Sequence, residues 1–134
     1  MKKVTAIIER AADGSYSVYH DDLSMGYLVT GTGDTAEKAI KCFNDGYEDF
    51  RRIYEEEGKT FQEVEFIFKY DVASFLSYFS KAFSLAGLSR ITGINQGQQS
   101  HYLTGRRTPS ATTVKKIENA IHEFAKSLEQ VKFA

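Results

Sequence analysis

The segment Gly87–Ser110, GLSRITGINQGQQSHYLTGRRTPS, constrains the fold of this chain more than any other part of the sequence. Its pattern predicts two short helices joined by a tight turn, the first ending at Gly93 and the second spanning residues 96–103. Asn95 is a favourable N-cap for the second helix, because its side-chain oxygen can accept from the free N–H groups of the first turn. Ile94, between the two helices, is predicted to anchor the turn in the apolar core.

The residues on either side of this segment predict two further helices. A helical spacing of apolar residues begins after Asp71, the predicted cap, and continues from Val72 to Phe83. Ser110 is the predicted cap of a last helix whose apolar stripe consists of Val114, Ile117, Ile121, Phe124 and Leu128. We therefore expect residues 71–134 to form an all-α domain, with four or more helices around a common core.

The second short helix carries a polar set without an acid: Gln96, Gln98, Gln99, Ser100 and His101. Glutamine can make a bidentate contact with adenine in the major groove. Arg106 and Arg107 follow the helix where a DNA backbone would pass. The order of these parts predicts a helix-turn-helix that binds DNA. The alternative is an ordinary helical bundle with a polar surface, in which His101 would be a surface histidine.

Residues 1–70 show the periodicity of short strands. Lys3–Glu9 and Tyr16–His20 are β-branched and aromatic runs, and the Asp-Gly pair between them is a strong hairpin signal. A third strand is predicted around Tyr27–Thr30, where the glycines that follow would end it. Alternating apolar residues predict a last strand over Val64–Tyr70.

One long amphipathic helix is predicted between the third and fourth strands. Asp34 and Glu37 match a capping box, with the acid three residues after the cap. The helical spacing of apolar residues stops at Gly58, a favourable residue just beyond a helix. The element order βββαβ predicts an α+β domain over residues 1–70, with the helix packed on an antiparallel sheet.

Charge divides the chain at the same place. Residues 1–70 contain nine Lys/Arg and fourteen Asp/Glu, whereas residues 71–134 contain eight and four. A basic part favours nucleic acid as its partner, and an acidic part would repel DNA and suit a basic protein. Solvated surface charge is the alternative explanation.

Composition bounds the cellular setting. A single cysteine, Cys42, excludes an internal disulfide and any multi-cysteine metal site, and favours a reducing cytoplasm. No apolar run approaches the ~20 residues that span a bilayer, and the N-terminus is a poor signal peptide because an acid, Glu9, follows its two lysines. We expect a cytoplasmic protein that needs no membrane.

The sequence offers little support for catalysis, for a metal or for a cofactor. Asp21 and Asp22 could bind a metal, but no second cluster has ligand spacing, and loop charge is the favoured explanation. His20 and Cys42 have no identifiable third partner, and a small buried cysteine is the commoner case. The segment GTGDT lacks the lysine of a phosphate-binding loop. We therefore expect no enzymatic activity.

The segment LSRITGINQGQQSHYLTGRRTPS resembles the helix-turn-helix of the Cro and phage-repressor type. The resemblance implies that the helix from Gln96 enters the major groove, and that Gln96, Gly97 and His101 are in base-facing positions. Gly97 has no side chain with which to read a base, and glycine costs about 1 kcal/mol of helix stability. The resemblance also implies that an apolar residue points inward where this chain has Gln98 and Gln99.

The segment IIERAADGSYSVYHDDLSMGYLVTGTGDTAEKAIKCF resembles the HicB antitoxin domain. The matching parts are the first strand, the Asp-Gly-Ser-Tyr hairpin, and the Gly-Asp-Thr-Ala-Glu-Lys-Ala entry to the helix. The resemblance implies a partial RNase H-like fold without nuclease activity, followed in many members by a C-terminal DNA-binding domain.

Together the two resemblances imply the antitoxin of a type II toxin–antitoxin pair. The N-terminal domain would neutralise a HicA-type mRNA interferase toxin, and the C-terminal domain would repress its own operon by binding operator DNA. The expected DNA-binding residues are Asn95, Gln96, Gly97, Ser100, His101, Arg106 and Arg107. Reading a palindromic operator requires a homodimer or a higher even-numbered oligomer. Two alternatives remain: a stand-alone regulator whose front domain senses a ligand or dimerises, and an RNase H-like nuclease, which the missing acid constellation disfavours.

Overall fold

In a computed structural model that describes every residue from Met1 to Ala134, the chain is a mixed α+β protein with one four-stranded sheet and five α-helices. It divides into two units, Met1–Asp71 and Val72–Ala134. The strands are β1 (Lys2–Arg10), β2 (Tyr16–Tyr19), β3 (Thr30–Gly33) and β4 (Val64–Tyr70). The helices are α1 (Ala36–Glu56), α2 (Val72–Tyr78), α3 (Leu85–Thr92), α4 (Gln96–Leu103) and α5 (Ala111–Glu129), with short 3-10 turns at Leu23–Met25 and Phe79–Lys81.

The sheet of the first unit has the strand order β3-β2-β1-β4. β1 and β2 are antiparallel, as are β2 and β3, but β4 runs parallel to β1 with Phe66 opposite Val4. The expectation of an antiparallel sheet was therefore wrong for β4. The reason is the crossover: α1 carries the chain back from the end of β3, so β4 enters the sheet in the same direction as β1.

The first hairpin is closed by side-chain bonds as well as by the β1–β2 ladder. Asp13 accepts from the backbone N–H of Ser15 at 2.9 Å and from its hydroxyl at 2.6 Å. These two bonds lower the pKa of the Asp13 carboxyl. The predicted Asp-Gly hairpin is confirmed, with Ile8 paired to Val18 across the two strands.

The third strand lies three residues later than predicted, and its glycines are part of it. A Cβ at Gly31 would lie 2.3 Å from the backbone nitrogen of Phe43 and 2.4 Å from the carbonyl oxygen of Ala39. Gly31 is thus required because α1 packs directly on the backbone of β3. The prediction that these glycines end the strand was wrong, because Gly31 allows the close approach of α1 to β3.

Helix α1 begins one residue later than the predicted capping box. Thr35 is the N-cap, and its hydroxyl accepts from the N–H of Lys38 at 3.1 Å. Asp34 instead pairs with Lys38 at 3.1 Å across the first turn. The predicted end is confirmed, because Gly58 N–H bonds to the carbonyl of Glu55 just beyond the helix.

The core of the first unit lies between α1 and one face of the sheet. Alternate side chains of β1 are buried in this core, namely Val4, Ala6 and Ile8. Phe43, fully buried on α1, meets Phe66 edge to face with ring centroids 4.7 Å apart. The buried residues of the first unit thus follow the helical periodicity of α1 and the strand periodicity of β1.

In the second unit the first helix is shorter than predicted. α2 ends at Tyr78 and a 3-10 turn takes over, so Phe83 falls outside the helix. Within this turn the Ser80 hydroxyl donates to the carbonyl of Ser77 at 2.7 Å, and such local bonds compete with helix continuation. Leu76 remains in the core of this unit with Leu88 and Tyr102.

Helix α5 is confirmed, with Ser110 as the N-cap that accepts from the N–H of Thr113 at 3.2 Å. Its predicted apolar stripe is only partly covered. Ile117 is buried, whereas Val114 and Leu128 are exposed. Phe124 is half-buried and meets the ring of Phe83 at 5.8 Å.

Candidate nucleic-acid interface

Helices α3 and α4 are joined by a turn of three residues, 93–95. α3 begins at its N-cap Ser84, whose hydroxyl accepts from the N–H of Gly87 at 3.0 Å. It ends at Gly93, which has a φ of 75° in the left-handed region. α4 then begins at Asn95, whose side-chain oxygen accepts from the N–H of Gln98 at 2.7 Å. These two predicted ends are confirmed, and they fix where the chain changes direction.

The inside of the turn is held by a buried pair of polar side chains, Thr92 and Gln99. Gln99 is 2% exposed and Thr92 is 5% exposed. The Gln99 amide donates to the Thr92 hydroxyl oxygen at 3.2 Å and to the carbonyl of Ile94 at 3.0 Å. The same hydroxyl accepts from the N–H of Ile94 at 3.2 Å and donates to the carbonyl of Leu88 at 2.8 Å. Its one proton and both lone pairs are therefore used.

This network corrects the expectation of an inward apolar residue at Gln98 or Gln99. The inward residue is Gln99, and it satisfies its burial by hydrogen bonding rather than by apolar contact. The buried amide ties the first turn of α4 to the last residue of α3. This role was not predicted, because the inward position of α4 was expected to hold an apolar residue.

The residues predicted to contact DNA are brought to one helix but differ in exposure. Gln96 and Gly97, in the first turn of α4, are exposed, whereas Ser100 and His101 are half-buried. Ser100 and His101, which were expected to contact DNA, are therefore less accessible than Gln96. The Nδ1 atom of His101 is buried without a hydrogen-bond partner. Asn95, also predicted to contact DNA, is exposed and uses its side-chain oxygen as the cap of α4.

The paired arginines follow the C-terminal end of α4, and both are exposed. The backbone N–H of Arg107 donates to the carbonyl of His101 at 3.2 Å. Its guanidinium lies 3.4 Å from the side-chain oxygen of Gln98, whose amide donates to the Tyr102 hydroxyl at 3.0 Å. This bridging role of Gln98 was not predicted. The spacing of Gln98 and Tyr102, four residues apart on one helix face, is the signal that could have shown it.

His20 and Asp22, weighed as catalytic or metal-binding candidates, have structural partners. His20 is 5% exposed, and its Nε2 accepts from the N–H of Val29 at 3.0 Å. Burial lowers the pKa of His20, and its Nδ1 has no partner. Asp22 binds Lys2 at 2.7 Å and accepts from the N–H of Ser24 at 2.9 Å, and these contacts lower its pKa to about 2.

Cys42 was expected to be buried, and this was wrong. It lies exposed on α1, because the neighbouring buried positions Ala39 and Phe43 define the face that meets the sheet. Cys42 therefore contributes nothing to the core of the first unit.

No model of a known protein family matches the chain, and comparisons with curated proteins and with solved structures give no significant match. None of its helices has the length and apolar character needed to cross a membrane.

Proposed function

We propose that the second unit is a helix-turn-helix domain of the Cro and phage-repressor type and that it binds operator DNA. The observation that carries this proposal is the α3–turn–α4 arrangement, in which buried hydrogen bonds of Thr92 and Gln99 hold the turn. A locked turn holds α4 at a fixed angle, which a helix that enters the major groove requires. In this proposal Gln96, Ser100 and His101 read base edges.

Arg106 and Arg107 bind phosphates in this proposal, so they position the protein without specifying sequence. Asn95 caps the reading helix, and Gly97 lets the first turn of α4 come close to the base pairs. The basic balance of residues 71–134, eight Lys/Arg against four Asp/Glu, supports the same partner.

We propose that the first unit is a HicB-like domain with a partial RNase H-like fold and that it neutralises a HicA-type mRNA interferase toxin. Its acidic balance, fourteen Asp/Glu against nine Lys/Arg in residues 1–70, complements a small basic protein. Three consecutive acids, Glu55 to Glu57, stand at the C-terminal end of α1, where the helix dipole disfavours negative charge. Arg52 and Lys59 already pair with Glu56 and Glu57, and a basic partner would add to that compensation. Neither unit acts as an enzyme in this proposal.

A palindromic operator further implies that the protein acts as a homodimer or as a higher even-numbered oligomer. The exposed apolar residues of α5, Val114 and Leu128, supply apolar surface for a second copy. The change Leu128→Glu should lower the mass measured by sedimentation. A matched polar change at the exposed Ser127, Ser127→Glu, should leave the mass unchanged.

DNA binding is tested with the duplex that precedes the gene of this chain. His101→Ala should relax sequence preference, whereas the double change Arg106→Ala with Arg107→Ala should weaken binding to every duplex and flatten its salt dependence. The charge-matched control is Lys126→Ala with Lys132→Ala, two exposed lysines elsewhere in the unit. Operator binding that is unchanged in both test variants would refute the assigned docking face.

Toxin neutralisation is tested with the product of the adjacent reading frame and a labelled RNA. The full chain should suppress cleavage of the RNA at a stoichiometric ratio and should form a complex that withstands gel filtration. Absence of a complex, together with intact DNA binding, would favour the stand-alone regulator instead.

A further inference from the structure

The basic side chains of the second unit differ in whether an acid neutralises them. On α5, Lys115 lies 3.2 Å from Glu118 and Lys126 lies 3.2 Å from Glu123, so both ammonium groups are paired. Lys116, between them in sequence, makes no ion pair and is exposed. An exposed cation without a neighbouring carboxylate keeps its full charge for an external anion.

Lys116 lies beside the turn between α3 and α4, although it is distant from that turn in sequence. A Cβ built on Gly93 would lie 3.8 Å from the Lys116 Nζ, so the ammonium group stands against the first residue of the turn. The turn leads into the N-terminal end of α4. Arg106 and Arg107 follow the opposite end.

Lys116 and the arginine pair flank α4 at its two ends. α4 contains eight residues, so its length is about 12 Å at a rise of ~1.5 Å per residue. An α-helix that lies in the major groove has backbone phosphates on both sides of it. Cations without an acid partner at the two ends of α4 are therefore placed to meet backbone phosphates of the groove that the helix enters.

The surface around Lys116 also suits a phosphate. An open depression of about 720 Å³ on α5 is lined by Ala111, Thr112, Lys115, Lys116 and Asn119. Its polar side chains supply hydroxyl, amide and ammonium donors, and of its two lysines only Lys116 has no acid partner, since Lys115 is paired with Glu118.

We propose that Lys116 binds a backbone phosphate of duplex DNA at the N-terminal end of α4, while Arg106 and Arg107 bind phosphates at the opposite end. This rests on the proposed DNA binding and extends it to a residue outside the two-helix segment.

The test measures the salt dependence of binding for the full chain with a fluorescein-labelled random duplex of about 30 bp, by anisotropy over a range of KCl concentrations. One lost phosphate contact lowers the slope of log K against log salt by about 0.9, which corresponds to a loss of roughly eightfold in affinity at about 0.1 M KCl. Lys116→Ala should show both changes, and Lys116→Arg should retain the wild-type slope. The matched control Lys126→Ala, an acid-paired lysine on the same helix, should bind as the wild type does.

The outcomes separate this proposal from the proposed function. If the wild type binds the duplex and Lys116→Ala binds it with the same salt slope and affinity, the role of Lys116 is wrong and the proposed DNA binding stands. A wild type that binds no duplex DNA overturns both. Binding of a single-stranded RNA of similar length in place of the duplex, with loss in Lys116→Ala, also overturns the assignment to DNA.

Discussion

The buried Thr92–Gln99 pair gives the sharpest test of how the α3–α4 turn is held. The change Thr92→Val keeps the shape of the side chain but removes its hydroxyl, so the N–H of Ile94 and one amide hydrogen of Gln99 lose their acceptor. An unpaired buried donor costs about 1–3 kcal/mol. Because Ile94 is only half-buried, its N–H contributes at the low end, and the two donors together should cost about 2–4 kcal/mol of the free energy of unfolding of this unit. A domain of this size has only about 3–9 kcal/mol in total.

The replacement of both partners should cost less than the sum of the single changes. Gln99→Leu with Thr92→Val substitutes an apolar contact for the polar one, which leaves the Ile94 N–H as the unpaired donor of the network. We expect a coupling free energy of about 1–2 kcal/mol between the two sites in a double-mutant cycle, since contacting residues are non-additive to this extent. A coupling near zero would mean that the amide–hydroxyl bond contributes nothing to stability.

The assay has to report on the second unit alone, and the chain has no tryptophan to serve as a local probe. Hydrogen–deuterium exchange of peptides from α3 and α4 reports opening of this unit directly. A cost of 2–4 kcal/mol should lower the protection factor by roughly thirtyfold to several hundredfold, because about 1.4 kcal/mol is tenfold. Thr112→Val, the same change at an exposed threonine of α5, should alter protection by less than about threefold. Equal protection in Thr92→Val and Thr112→Val would refute the reasoning.

Three further predictions concern stability. The pKa of His20 is lowered from 6.5 by burial, so its contribution is fully present above the unfolded value and is lost as the pH falls below about 6.5 towards the folded pKa. Urea unfolding at about pH 7.5 and 5.5 should therefore show a lower midpoint in acid, and His20→Gln should remove the part of that difference that His20 supplies. Gly31→Ala should destabilise the first unit by about 3 kcal/mol or more, since its Cβ would collide with the backbone of α1. Gly46→Ala, on the helix itself and with its nearest neighbour at 3.4 Å, should be neutral or stabilising by up to about 1 kcal/mol. Gly97→Ala should stabilise α4 by about 0.5–1 kcal/mol because its Cβ has room. Gly93→Ala should instead cost about 1–2 kcal/mol, because the φ of Gly93 is 75°. The midpoint of thermal unfolding should therefore rise in the first variant and fall in the second.

The ends of the helices were predictable where the signal is carried by one residue and its immediate neighbours. Gly93 and Asn95 set the two ends of the turn through their own backbone and side-chain bonds, and the bounds of α4 follow from them. The cap of α1 shows the limit of such signals. Asp34 and Thr35 are both good caps, and the sequence alone does not say which of them the helix uses.

The features that the sequence did not predict depend on contacts between distant parts of the chain. The direction of β4 is set by the crossover of α1, and the need for Gly31 is set by a helix that begins five residues later. Gln99 is polar and yet fully buried, because its partners lie on the preceding helix and turn. For the same reason Lys116 was missed as a candidate for DNA binding. Its neighbour in space, Gly93, is 23 residues away in sequence.

The two proposed activities should be separable by changes that disrupt one core and spare the other. Gly31→Ala acts where α1 meets β3, within the first unit, and Thr92→Val acts beneath the turn of the second. In the full chain we expect Gly31→Ala to lose suppression of RNA cleavage by the toxin while it retains binding to duplex DNA. Thr92→Val should lose affinity for DNA and still suppress the toxin. If Gly31→Ala abolished DNA binding as completely as Thr92→Val does, the division of labour between residues 1–70 and 71–134 would be wrong, even with every local contact of α3 and α4 in place.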